Sequence, residues 1–461
     1  MSLTLLSAAP EAGHGRPIGV SDWRLAVEIA LPTPDAALWG DALWDDGVWS
    51  ETEWADVSDR VRGIDWVRGS AVAGGRPDTG YGGFTLDNND GTFDAWGSEY
   101  FGPGTIARVV AHSPASSRWI PQVAGYVTAW RSQFSGTRRY GFADRWVDVE
   151  FDETIGILGL IDDNALGSPV GSGETSGDRA SRLLDAAGWP NGFYDEAAAA
   201  FPLQSTDMAP NRLAELHVTA DSADTYFRSH RSGIAMLEEV DPDLHPDYSP
   251  PAASRWDAAV WGVSEWSEEI DWSTARAASV LYRRFEVRPD RAGDVLPDPS
   301  GRFMAQMLYD PETLEASRAS DIIINDVRFA RVGGAQQVAA DVVSQGRYGR
   351  RTLARNDLLT QSSSDVLTIA GRVVSRRANR SLRVSAVDVV SVPGNLPSMF
   401  VVDVGDPVTF AMPDMRSVSG YVVSMSHRVV PMTDSGPDWR LTLGIEVEDG
   451  FVEAALLGGQ S

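Results

Sequence analysis

Three observations predict a mainly β chain, with two small β-barrels flanking a mixed α/β region. Apolar residues alternate with polar ones in short, closely spaced runs through the N-terminal third of the 461 residues. A helical spacing of apolar residues occurs only in the middle of the chain. Alternation then resumes beyond residue 382. Short alternating runs separated by Gly, Asn, Asp and Pro are the pattern of antiparallel strands closing into a barrel or a sandwich.

In chain order, residues 1–21 are rich in Ala, Gly, Pro and His and read as a flexible arm. Alternation begins at 23–31 and recurs at 60–68, 83–86, 105–111, 121–130 and 146–151. These runs make an N-terminal barrel over 22–165, with an excursion at 38–54. A mixed α/β region over 166–335 follows. Its Gly-Ser-rich connector, Gly171 to Gly177, leads into a helix at 178–188. There Ala180, Leu183, Leu184 and Ala187 share one face, Asp178 suits the positive first turn and Gly188 the C-cap. A second helix is expected at 211–220, with strands at 225–230 and 234–237. An insert at about 241–300 opens on a Pro-rich stretch. Runs at 326–332 and 336–342 read as a hairpin around Gly333 and Gly334. The segment 336–380 then joins the barrels and ends in a helix at 364–377, striped by Val366, Ile369, Ala370, Val373 and Val374. Strands at 382–392, 399–404, 407–411, 420–430 and 439–447 give the C-terminal barrel, 381–461.

Composition removes whole classes of activity. The chain has no cysteine and no lysine, and a formal net charge of -26. Disulfide scaffolds, thiolate chemistry, P-loop phosphate binding and Schiff bases are thereby excluded. The acidic balance argues against a general duplex-DNA binder. Apolar runs fall short of the ~20 residues of a membrane helix, and no secretory signal is predicted. HExxH and GxSxG are absent, and the six histidines are scattered. No catalytic, cofactor or metal residue is assigned.

Four features invite a functional reading. Trp39, Trp44, Trp49 and Trp54 recur every five residues, and Trp256, Trp261 and Trp266 repeat the spacing, with Trp272 one step late. A period of five fits neither helix nor strand. The rings are therefore read as anchors of turn-rich pentads, packing onto a barrel or a partner chain. The alternative is a glycan-stacking surface, since indole faces beside carboxylates suit carbohydrate. Second, Asp87 to Asp94 resembles a calcium loop, but Leu86 stands where the first EF-hand acid belongs, so a β-turn through Asn89, Asp90 and Gly91 is expected. Third, Gly171 to Gly177 lacks the spacing of a phosphate loop and reads as linker. Fourth, residues 325–385 hold eleven arginines against four aspartates, a local +7 that leaves the remainder near -33. Arg347, Arg350, Arg351, Arg355, Arg372, Arg376 and Arg377 are accordingly candidates for contact with acids of another copy or of an adjoining protein.

The order of motifs resembles the minor tail proteins of actinobacteriophage siphophage tails, the baseplate or tail-tip hub family. The resemblance is carried by 54–64 (WADVSDRVRGI), 84–94 (FTLDNNDGTFD), 104–109 (GTIARV), 125–130 (GYVTAW) and 177–190 (GDRASRLLDAAGWP). Further matches are 405–408 (GDPV), 420–422 (GYV), His427 and 439–443 (WRLTL). The stretch 241–300 departs most from the family pattern. The resemblance implies a hub-like fold assembled as a trimer, so that two barrels in each of three chains form a pseudo-six-fold ring. It implies no catalysis and no cofactor. Its implied partners are the chain itself, distal tail or tail-tube proteins, the tape-measure protein and receptor-binding or fibre proteins. Host cell-wall glycan joins these if the tryptophans bind sugar. The expected location is the virion tail tip, after synthesis in the host cytoplasm. The rival functions are a carbohydrate-binding adhesin and a cell-wall hydrolase.

Overall fold

The computed structural model describes residues 16–17, 24–31, 53–69, 78–96, 101–113, 118–135, 144–161, 173–189, 193–195, 201–206, 211–231, 233, 235–239, 285–289, 306–317, 323–379, 383–389, 396–413, 417–430 and 438–447. Within these the chain is mainly β, built on one large, mostly antiparallel sheet and two small ones.

The N-terminal barrel comprises β1 (Arg16–Pro17), β2 (Arg24–Leu31), β3 (Glu53–Asp56), β4 (Val61–Gly69), β5 (Asp78–Asp87), β6 (Ile106–Ser113), β7 (Arg118–Ser135) and β8 (Asp144–Glu153). Their order across the sheet is β2-β6-β7-β8-β5-β4, with β1 and β3 on the outer edge of β2. Strict alternation drives the curl: Val147, Val149 and Phe151 of β8 point inward while Asp148, Glu150 and Asp152 point out. A 3-10 helix, Ser58–Arg60, turns β3 into β4. It brings the sheet's two ends together, with the Val57 N–H donating to the Val27 carbonyl. All six runs expected here are strands, and 83–86 lies in the second half of the longer β5.

A mixed unit follows. Helix α1 (Ser176–Ala186) opens on a capping box: the Thr175 hydroxyl accepts from the Asp178 N–H and the Asp178 carboxylate from the Thr175 N–H. Gly188, at φ 64°, follows its end as the sequence predicts. Strand β9 (Phe193–Asp195), helix α2 (Arg212–Asp221), β10 (Thr225–Ser229) and β11 (Ala235–Glu239) complete the unit, in sheet order β10-β11-β9. Leu183, Leu184, Leu216 and Phe227 fill its core.

Strands β12 (Phe285–Pro289), β13 (Gln306–Tyr309) and β14 (Glu315–Ser317) come next. A second small unit then contains β15 (Asp326–Arg331), β16 (Gln337–Ala340), helix α3 (Val342–Tyr348), β17 (Thr352–Leu358) and helix α4 (Ser363–Arg377). β15 and β16 form the expected hairpin. β17 adds parallel to β15 on its other side, and α4 covers one face through Val366, Ile369, Ala370 and Val374. The segment expected to join the barrels is thus an α/β layer of its own. Helix α3 is closed by Gly349 at φ 75°.

The chain finishes with β18 (Arg383–Val389), α5 (Leu396–Val401), β19 (Pro407–Ala411), β20 (Ser417–Val430) and β21 (Asp438–Val447). The strand expected at 399–404 is instead the end of α5. Pro397 sits in its first turn, where the missing N–H costs nothing. The C-terminal barrel is a closed circuit, β20-β19-β12-β13-β18-β21 and back to β20. β12 and β13, which the sequence reading put in the mixed region, therefore belong to it. They enter by parallel pairing, which leaves no short hairpin for a local pattern to reveal.

Candidate functional site: the joint between the barrels

The two barrels meet where β4 pairs with β20, in a register running from Ile64 opposite Val429 to Gly69 opposite Ser424. β20 is 14 residues long and serves both barrels: its first half pairs with β19 and its second with β4. One core cluster runs through both, from Leu25 to Val447. Gly69 ends β4 at φ 87°, and a β-carbon there would collide with the Val423 carbonyl, so the close crossing needs glycine.

An aromatic stack lies at the centre of the seam. The Trp66 indole stacks on the His427 imidazole, with centroids 4.4 Å apart and an 11° interplanar angle. Trp439 meets both rings edge-on, at 6.0 and 5.7 Å, and Phe400 packs edge-on against Trp439 at 4.5 Å. The Trp439 Nε1–H donates to His427 Nδ1 at 3.1 Å, which puts the imidazole proton on Nε2. Burial, reinforced by the Arg68 charge, pushes the His427 pKa down to about 3. The imidazole is thus a neutral packing group.

Next to this stack three parts of the chain converge on one guanidinium. Arg68, on the inward parity of β4 after Ile64 and Trp66, is 3% exposed. It pairs with Glu153 at the end of β8 and with Asp403 beyond α5, and its Nη2 donates to the Ser229 carbonyl of β10 at 2.7 Å. Glu153 also accepts from the Gly80 N–H at 3.0 Å. Asp403 faces Arg228 at 4.0 Å and His230 at 3.7 Å, and Arg228 holds Glu238 at 2.5 Å. Arg231 and Gln122 both donate to the Phe400 carbonyl, at 2.6 and 3.1 Å. Burial alone would raise the Asp403 pKa; the fields of Arg68, Arg228, His230 and Arg231 override it and hold the carboxyl well below the usual range. Arg68 is driven the other way, its burial outweighed by Asp403 and Glu153. Arg68, Glu153, Arg228 and Asp403 of this cluster are buried, and their contacts tie together the N-terminal barrel, the α/β unit and the C-terminal barrel. Among the described residues no group of three or more His, Asp or Glu is placed to hold a metal.

Of the pentad tryptophans, only Trp54 lies within the described residues. It sits half-buried on β3, with the Arg108 guanidinium 3.9 Å over its ring, and Arg108 is paired at 2.6 Å with buried Glu28. Trp39, Trp44, Trp49, Trp256, Trp261, Trp266 and Trp272 lie outside the described residues. The Asp87–Asp94 loop is a turn, with the Gly91 N–H donating to the Asn88 carbonyl at 3.0 Å. Its carboxylates engage arginines: Asp87 with Arg62, Asp90 with Arg60 and Asp94 with Arg145.

The candidate arginines divide into two groups. Arg355 pairs with Asp221 at 2.7 Å and Asp357 at 2.9 Å, Arg376 with Asp224 at 2.5 Å, and Arg372 lies 3.9 Å from Asp224. Asp221 and Asp224, at the α2–β10 corner, belong to the same chain, so this group clamps the second α/β layer onto the first; Arg377 is half-buried on α4 beside Arg376. Asp224, at φ 58°, is the only non-glycine residue with positive φ among those described. Arg347, Arg350 and Arg351 form the other group, at the far end of the layer. All three are exposed, and Arg350 lies 3.3 Å from buried Asp326.

No protein-family model matches the chain, and no curated protein matches it. Solved structures do. The tail protein from Neisseria meningitidis MC58 is 13% identical, with a TM-score of 0.51 over 92% of this chain and 97% of that one. The 43 kDa tail protein of prophage MuSo2 from Shewanella oneidensis is 10% identical, with a TM-score of 0.49 over 92% and 97%. Prophage tail protein gp18 from Listeria monocytogenes EGD-e is 7% identical, with a TM-score of 0.45 over 94% and 97%. The first of these likenesses shows a common fold spanning nearly the whole of both chains.

Proposed function

We propose that this chain is a structural tail protein of a long-tailed phage, and within the tail the hub that closes the tail tube at its tip. The observation that carries this reading is the near full-length fold likeness to the Neisseria tail protein. A hub needs barrels held at fixed mutual positions, and the buried Arg68 cluster and the Trp66–His427–Trp439 stack supply that rigidity. Three copies around the tail axis present six barrels, a ring that can mate with six-fold tail-tube or distal tail proteins and surround the end of the tape-measure protein. Receptor-binding or fibre proteins attach to its outer side. The chain's own part is positioning, with no chemical step assigned.

Quantitative mass spectrometry of purified virions carrying this chain tests the reading. Three copies per tail are expected. Six copies would make it a distal ring protein and overturn the hub assignment; absence from the virion would overturn the tail assignment itself. If instead the pentad tryptophans form a glycan surface, Trp44→Ala and Trp261→Ala virions assemble normally and lose adsorption to host cell wall.

A further inference from the structure

Hydrogen-bond parity fixes which way the backbone of β16 points. The Asp341 N–H donates to the Asn325 carbonyl, one step beyond the Ala340–Asp326 pair of the β15–β16 ladder. In an antiparallel ladder bonded pairs alternate with non-bonded ones. Ala339 and Gln337 therefore share the parity of Asp341 and bond to β15, while Val338 and Ala340 do not. The other side of β15 agrees: the Asp326 N–H, on the residue opposite Ala340, donates to the Arg351 carbonyl on the β17 side. β16 ends the sheet, so the N–H and C=O groups of Val338 and Ala340 point out of its edge. Neither residue has a backbone partner on that side among the described residues.

An open edge is a template for another strand, and proteins block such edges with charge, proline or a bulge. Each of the other edge strands among the described residues has a charged residue in its sequence: Arg16 in β1, Glu53 in β3, Asp195 in β9, Arg228 in β10, Glu315 in β14 and Asp357 in β17. β16, Gln-Val-Ala-Ala, has neither charge nor proline, and its ladder with β15 runs without a bulge. The sequence is uncharged from Val332 to Ala340. The first charge beyond it, Asp341, is committed to the α3 N-cap, where it accepts from the Val343 and Ser344 N–H groups. Exposed valines flank the edge: Val332, Val338, Val342 and Val343 are 42%, 51%, 76% and 63% exposed. Apolar exposure gathered on one short segment marks an interaction surface.

We propose that β16 pairs antiparallel with β16 of a second copy about a two-fold axis, joining the two three-stranded sheets into one continuous sheet. The outward N–H and C=O groups accept only extended backbone, and an uncharged edge meets no like-charge repulsion from its own copy. With the axis at Ala339, Val338 of each chain lies opposite Ala340 of the other, and every outward group of these residues finds a partner. The same register sets Val342 and Val343 beside Gln336 and Ala335 of the second copy, which places the α3 valines at the contact. The contact is isologous, one patch meeting itself. It does not rest on the hub reading and is separate from the three-copy ring. A four-residue edge, about 14 Å long, falls below the ~800 Å² per partner of a standard interface, so the pairing is reversible and concentration-dependent.

Oxidative cross-linking tests the pairing in the full-length chain, which has no native cysteine. Val338→Cys and Ala340→Cys, both at exposed positions, are oxidised separately and as a mixture. A disulfide heterodimer is expected in the mixture at several-fold the homodimer yield of either chain alone, rising with protein concentration. Equal yields with and without mixing, or no cross-link in the mixture, would overturn the proposal. Sedimentation equilibrium of the cysteine-free chain is the second readout, with a reversible doubling of mass expected as concentration rises. Ala340→Pro deletes an outward N–H that β15 does not use, and should abolish the doubling while leaving the melting temperature unchanged. Val338→Lys, which sets a charge beside the axis, takes its place if Ala340→Pro does not fold. A doubling that the folded variant retains, or a mass that does not change with concentration, contradicts the pairing.

Discussion

The barrel joint and the α4 clamp both use arginine–aspartate pairs to hold separate parts of the chain together, and they do so in opposite environments. Arg68 and Asp403 are 3% and 4% exposed, enclosed by two barrels and a sheet. The side chains of Arg376 and Asp224 are 21% and 6% exposed, so the clamp reaches the surface only on its arginine side. Removing one member of a buried set strands the other charges in the interior, and the loss is smaller where the arginine already reaches the surface. The joint is therefore the more sensitive of the two to loss of its arginine, although the chemistry of the contacts is the same.

The largest expected effect is at Arg68. Arg68→Met leaves Glu153 and Asp403 buried without their shared cation, and a loss of about 3–5 kcal/mol is expected in chemical denaturation. A loss within about 1 kcal/mol, the range of an exposed pair, would erase the distinction between joint and clamp.

A second effect sharpens the comparison through pH. His427 is neutral in the folded chain down to about 3, against 6.5 unfolded. Between those values the unfolded state binds the extra proton, so stability is fully present above pH 6.5 and falls as pH drops toward 3. Asp403, held low, adds a loss that begins near its unfolded value of 3.8. His427→Phe should flatten the fall between pH 6.5 and about 4 relative to the native chain. Parallel stability curves for the two proteins would show that His427 does not titrate on unfolding as described.

Smaller still is Trp439→Phe, which keeps an aromatic ring but leaves His427 Nδ1 buried without its donor. About 1–3 kcal/mol is expected from the unmet hydrogen bond. Arg376→Ala at the clamp, which leaves Asp224 only the more distant Arg372, should cost about 1–2 kcal/mol. If it cost as much as Arg68→Met, the clamp would be a second joint.

Much of the joint was legible in the sequence, but only to a reading that followed strand parity. Ile64, Trp66 and Arg68 fall on alternate positions, as do Val147, Val149, Phe151 and Glu153. A charge on the inward parity of a barrel strand is a signal of a buried ion pair, and both Arg68 and Glu153 carried it. Asp403 gave no such signal, because its turn follows a helix that local alternation had suggested was a strand. The partnership of β12 and β13 with the C-terminal barrel was equally hidden, since parallel strands brought together from distant segments leave no turn motif. The capping residues were the clearest local features: Asp178, Asn211 and Gly188 all mark helix ends where hydrogen-bond geometry requires them. The seven arginines were legible as a charge run, but not their division between an internal clamp and an outer face. That division depends on Asp221 and Asp224, more than a hundred residues away.

The buried joint fixes the two barrels relative to one another. Spin labels at Thr92→Cys on the N-terminal barrel and Glu315→Cys beside the C-terminal one, in a chain with no other cysteine, measure this directly by electron–electron double resonance. A single narrow distance distribution is expected in the native background, broadened when Arg68→Met is added. A broad distribution in the native background would contradict the account, because it would mean that the barrels move independently despite the buried contacts between them.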